Sequence, residues 1–112
     1  MTFDPRWEGK SIPAKHWHFH RRLYERYGII MAPGEFGDMV KAIKTGKALM
    51  VNRRGKHQRI YWHKVQSVRE RIYVLVGKDS AILSAWPPTN QLADYRRQAQ
   101  ERRAVERTKV PG

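Results

Sequence analysis

The sequence predicts an α+β domain: two N-terminal helices, a four-stranded antiparallel β-meander and a basic C-terminal helix. Three observations predict it. Apolar residues recur with a helical period up to Gly46. The period then becomes alternating, broken by short polar or glycine-containing turns. After Pro87-Pro88 a helical segment resumes. A chain of 112 residues suits one compact domain.

Residues 1–13 contain Asp4-Pro5, Gly9 and Pro13 and read as an irregular arm held by Phe3 and Trp7. Ser11 or Pro13 opens a first helix over about 14–26, and Gly28 supplies its left-handed cap. The second helix runs from Pro33 to Gly46, with Phe36, Met39, Val40 and Ile43 at i, i+3, i+4 and i+7. Strands follow over 48–53, 57–65, 71–77 and 81–86. In the second, Arg59, Tyr61, His63 and Val65 share one face, while Ile60 and Trp62 take the other. The third is the strongest, being rich in Ile, Tyr and Val. Gly77-Lys78-Asp79-Ser80 forms a hairpin turn, and Pro87-Pro88 ends the fourth strand. Thr89 or Asn90 caps a last helix to about Arg107, whose first half docks through Leu92, Tyr95 and Ala99. The expected arrangement packs the helices on one face of the sheet. It places a single domain over 14–95 and a dispensable basic helix or tail over 96–112.

Lys and Arg number 23 against 10 Asp and Glu, a net charge of +13. Residues 96–112 account for only +4 of it, so the body of the domain is itself basic. Such a domain repels itself until it meets a polyanion. Nucleic acid is the first candidate, RNA before DNA, and an anionic membrane surface or acidic host protein the second. There is no cysteine, hence no disulfide or thiolate metal site, which fits a reducing cytoplasm. No apolar run approaches the roughly 20 residues of a membrane span, so no membrane partner is expected.

The stretch Lys15-His16-Trp17-His18-Phe19-His20-Arg21-Arg22 holds three of the five histidines. At about 100° per helical residue, His16 and His20 fall within an arc carrying Trp17, Phe19, Leu23 and Tyr24. His18 falls opposite, beside Arg22. A histidine on an apolar arc is either a packed core residue or an acid–base group, since imidazole titrates near neutrality. Arginine holds phosphate through paired hydrogen bonds. Acid–base groups beside phosphate holders are what RNA cleavage requires. The candidate catalytic residues are His16, His18, His20 and, from the second strand, His63. Arg21, Arg22 and Arg59 are candidate phosphate contacts. Tyr61 and Ser84 would position substrate on the concave sheet face. Arg96, Arg97, Arg102 and Arg103 of the last helix read either as a solvated face or as further nucleic-acid contacts. His16 and His20 have a metal-compatible spacing, but any third ligand would be remote, so neither a metal nor a cofactor is expected. No phosphate-cradling glycine loop, nucleophilic serine motif or paired acidic cluster is present.

The element order over residues 14–88, a basic helix before a curled meander, resembles the ribonuclease superfamily of barnase, colicin-type tRNase domains and RelE-like toxins. His18, Arg22 and Arg26-Tyr27-Gly28-Ile29 are similar to a His-x3-Arg-x3-Arg-aromatic-Gly pattern of small phage and prophage proteins. Gly46-Lys47-Ala48 and Ile82-Leu83-Ser84-Ala85-Trp86-Pro87-Pro88 are similar to the same group. The resemblance implies a metal-independent endoribonuclease acting in the cytoplasm, that of a host if phage-encoded. Two other readings use the same charge: a non-catalytic nucleic-acid-binding protein, or an inhibitor steered onto an acidic host enzyme.

Counterion release predicts that RNA affinity, measured by fluorescence anisotropy, drops steeply between about 50 and 200 mM salt. A flat salt profile would contradict the electrostatic reading.

Overall fold

The computed structural model describes Gly9 and residues 12–108, with side chains described through residue 105. The expected pinning of the arm by Phe3 and Trp7 lies outside the described residues. A single 3-10 turn, Ala14–His16, leads into helix α1, Trp17–Tyr27. Gly28 ends α1 at φ 67°, and its N–H donates to the Tyr24 carbonyl. Helix α2 is Glu35–Lys44. The Glu35 carboxylate accepts hydrogen bonds from the Ala32 N–H, the Ser67 N–H and the Ser67 hydroxyl. It thereby ties the start of α2 to the loop after the second strand.

The sheet is an antiparallel meander in the order β1-β2-β3-β4, formed by Leu49–Arg54, Gln58–Val65, Glu70–Val76 and Ile82–Trp86. The β2–β3 register pairs Val65 with Glu70, Lys64 with Arg71 and Trp62 with Tyr73. Irregularities interrupt β1 between Met50 and Asn52 and the β3–β4 ladder at Leu75–Val76. The turn before β4 is a 3-10 turn in which Asp79 and Ser80 take positive φ. Helix α3 spans Asn90–Thr108, and the Thr89 hydroxyl oxygen caps it by accepting from the Leu92 N–H.

Packing corrects one expectation. The helices do not share a face. Phe19, Leu23, Met39 and Ile43 of α1 and α2 pack with Tyr61, Val65, Ile72, Val74 and Ala85 on one side. Leu92 of α3 packs with Val51, Ile60, Tyr73 and Leu75 on the other. The reason is written in β3, where every residue from Ile72 to Val76 is buried. A strand apolar at consecutive positions needs cover on both sides.

The docking of α3 corrects a second expectation. The last helix is continuous, as expected, but its packed stripe runs on past the first half. Leu92, Tyr95, Arg96, Ala99 and Arg103 follow each other at helical spacing on the side facing the sheet. Ala99 is buried, Arg96 lies against Trp62, and Arg103 donates to the Gly46 carbonyl at 2.8 Å. Counting apolar residues alone ends this stripe too early, because arginine packs its stem and planar head while keeping its charge. Deleting residues 96–112 should therefore destabilise the fold by on the order of 2 kcal/mol, read by urea denaturation.

The end of α1 is locked to the opposite sheet edge. Arg26 donates to the Ala85 carbonyl at 2.7 Å. The Tyr27 hydroxyl donates to the Trp86 carbonyl at 2.6 Å and accepts from the Tyr73 N–H at 3.1 Å. It stands between the ends of β3 and β4 as a bridge in the ladder. Tyr27→Phe should cost about 1–3 kcal/mol in urea or thermal denaturation, because two backbone groups lose their shared partner.

Candidate nucleic-acid interface

The histidines of the opening stretch divide as the helical arc predicts. His20 is buried beside Phe19 and Phe36. The His16 ring stacks on Phe36 with centroids 3.8 Å apart. Burial lowers the pKa of both, with help for His16 from Lys15, and His20 falls to about 4. They join α1 to α2. His18 is exposed on the outer side of α1. Arg22, expected beside it as a phosphate holder, instead pairs with Glu25 at 3.0 Å, and Arg21 is exposed on the same helix. Among the described residues, no group of three histidine or acidic side chains could hold a metal ion.

The sheet register separates other candidates. Tyr61 pairs with Val74 and Val74 with Ala85, on the α1–α2 side. Ser84 pairs with Leu75, on the α3 side. Tyr61 and Ser84 are both buried, so they cannot jointly position a substrate on one open face. Arg59 lies over Tyr61 at the start of β2, near Arg53, Lys56 and Lys78. Five residue steps along the strand, roughly 17 Å, separate it from Lys64.

The basic residues converge elsewhere. A cleft of about 760 Å³ opens beside β1 and β2, under the second half of α3. Lys47, Lys64, Arg71 and Arg103 line it, with Trp62 and His63. A second cleft of about 440 Å³ shares Trp62 and Arg71 with it and adds Arg96, Tyr73 and Asn90. Among the described residues, no acidic side chain lines either cleft. The two clefts meet at the Trp62–Arg71 pair.

This junction concentrates like charge. Lys64 and Arg71 are directly opposed across β2 and β3, an arrangement that costs stability. Arg71 Cζ lies 4.9 Å and Arg96 Cζ 4.8 Å from the Trp62 ring centroid. The ring attracts both cations through its quadrupole. Arg96 Nε is buried and has no hydrogen-bond partner among the described residues. His63 borders the larger cleft, and burial lowers its pKa, partly offset by Glu35 and Asp38. Burial also pushes the Tyr27 phenol, at the smaller cleft, up to about 12.

Of the expected contacts, Arg96, Arg103 and His63 reach the clefts. Arg97 pairs with Asp94, and Arg102 is exposed outside them. Lys47, Lys64 and Arg71 were not singled out from sequence. Lys64 and Arg71 were legible in principle: the tight turn at 66–69 brings the residues flanking it into register. Lys47 has no such local signal.

No protein-family model, curated protein or solved structure matches this chain.

His20 generates a pH prediction. Its folded pKa of about 4 lies below the ordinary 6.5, so the unfolded chain binds the proton more readily. Stability should be fully present above about 6.5 and fall as pH drops toward 4. His16 and His63 shift in the same direction and add to the slope. Urea denaturation across this range should show the decline, and His20→Gln should flatten it.

Proposed function

We propose that this protein binds single-stranded RNA in the joined clefts between the sheet and α3. The observation that carries the reading is the cluster of Lys47, Lys64, Arg71, Arg96 and Arg103 around Trp62, with no acidic side chain in the lining among the described residues. Cations on a groove track the phosphate backbone, and an aromatic ring offers a stacking surface for a base. The cross-strand Lys64–Arg71 pair supports it further, since a bound polyanion relieves a repulsion that the empty protein carries. A cytoplasmic setting and a kinship with the barnase, colicin-tRNase and RelE-like group belong to this proposal. Support for the kinship is element order and short motifs.

A second reading is metal-independent RNA cleavage, favoured by His63 at the larger cleft. A neutral His63 would take the proton of a ribose 2′-hydroxyl as it attacks the adjacent phosphate. The nearby cations would stabilise the pentacovalent intermediate, and a second, protonated group would give its own proton to the 5′-oxygen as the P–O5′ bond breaks, leaving the 2′,3′-cyclic phosphate and a protonated His63.

Anisotropy with a labelled single-stranded RNA tests the binding reading. The double variant Lys64→Gln/Arg71→Gln should bind at least tenfold more weakly and lower the salt slope by roughly 1.4, given about 0.7 for each of two phosphate contacts. Lys41→Gln, an exposed change on α2 outside the clefts, should bind like the wild type. Equal affinity for the double variant and the wild type would remove the cleft as the binding site. For cleavage, RNA incubated with a chelator should yield fragments ending in cyclic phosphate, reduced about 100-fold by His63→Ala. Intact RNA in the wild-type reaction would sink the nuclease reading and leave binding as the function.

A further inference from the structure

We infer that the 440 Å³ cleft at the Trp62–Arg71–Arg96 junction is a subsite for a nucleoside monophosphate group. The group is either the phosphorylated end of a strand or a free nucleotide. The inference rests on the cleft reading above and narrows it to a chemical class.

Size is the first argument. Small-molecule sites begin at about 300 Å³, and 440 Å³ admits one nucleotide and little more. Charge is the second. Arg71 and Arg96 converge on one ring, and no carboxylate lines the cleft among the described residues. A backbone phosphodiester carries a single negative charge. A phosphomonoester carries about −1.5 to −2 at pH 7 and three strong acceptor oxygens. Two guanidinium groups match the monoester better.

The rest of the lining fits the nucleoside. Trp62 is half-buried and presents an aromatic surface beside both cations. The exposed amide of Asn90 has a donor and an acceptor for a base edge. The Tyr27 hydroxyl is already occupied on both sides by the Trp86 carbonyl and the Tyr73 N–H. Its phenol stays protonated at neutral pH, so that wall does not repel an anion.

Calorimetric titration of the whole protein tests this with six probes: adenosine monophosphate, adenosine, inorganic phosphate, and an RNA tetranucleotide bearing a 5′-phosphate, a 3′-phosphate or no terminal phosphate. Adenosine monophosphate should bind at least tenfold more tightly than adenosine or phosphate. Arg71→Gln and Arg96→Gln should each weaken it about tenfold. Lys41→Gln, exposed on α2 and outside both clefts, should leave it unchanged. Thermal melting confirms folding of each variant, and Arg96→Lys replaces Arg96→Gln if the latter melts early, with a loss still expected because ammonium lacks the planar grip. A tenfold gain from the terminal phosphate identifies the strand end as ligand. Mononucleotide binding without that gain identifies the free nucleotide, and both outcomes support the subsite. The inference is overturned if neither probe binds while longer RNA still does, which leaves the cleft reading standing. It is equally overturned if binding survives both arginine changes. Failure of every RNA and nucleotide probe removes both readings.

Discussion

Cover on both faces of the sheet is the constraint from which the other features follow. The run Ile72–Val76 has no residue suited to solvent, and all five side chains are buried. Helices α1 and α2 cover one side of it, and α3 must cover the other. At about 25 cal/mol per Å² of apolar surface, leaving a sheet face open would be costly for a domain of this size. The helix recruited for this task is poor in apolar residues, so arginines complete its inner stripe. Packing therefore carries positive charge to the sheet. The same contact that closes the second core builds the candidate binding junction around Trp62.

Electrostatics runs against stability at that junction. Lys64 faces Arg71 across two strands, and Arg71 and Arg96 approach one ring. The ion pairs Arg22–Glu25 and Arg97–Asp94 sit at the surface, where such pairs contribute about 0–1 kcal/mol. Neither offsets the repulsion beside Trp62. A protein with opposed cations in a cleft that shows no acidic side chain among the described residues carries a cost that a polyanion would relieve. Arg103 differs in kind. Its bond to the Gly46 carbonyl, just past the end of α2, makes it partly a structural cap.

The histidines divide by environment. His16 and His20 stack with Phe36 and hold α1 to α2, and burial favours their neutral forms. His18 faces outward from the same helix turn. His63 alone among the four sequence candidates borders the basic cleft. A cluster dense in sequence thus serves packing on one side of α1 and solvent on the other. The histidine nearest the cations comes from a strand more than forty residues further along.

Local periodicity determined the element order, the strand positions to within about one residue, and the placing of His16 and His20 on the apolar arc of α1, away from His18. These depend on neighbours three or four residues apart on a helix, or two apart on a strand. The charge of the body, as distinct from its tail, was also fully legible. Tertiary structure alone decided that α3 crosses to the second face, that Tyr61 and Ser84 lie on opposite sides, and that Arg22 pairs locally with Glu25. It also brought Lys47, Trp62, Arg71 and Arg96 together from the α2–β1 link, β2, β3 and α3. The physical reason is that a sheet has two faces and a charged residue reads the same on either. Only the completed packing of apolar surface settles which side an arginine reaches, and hence what it can hold.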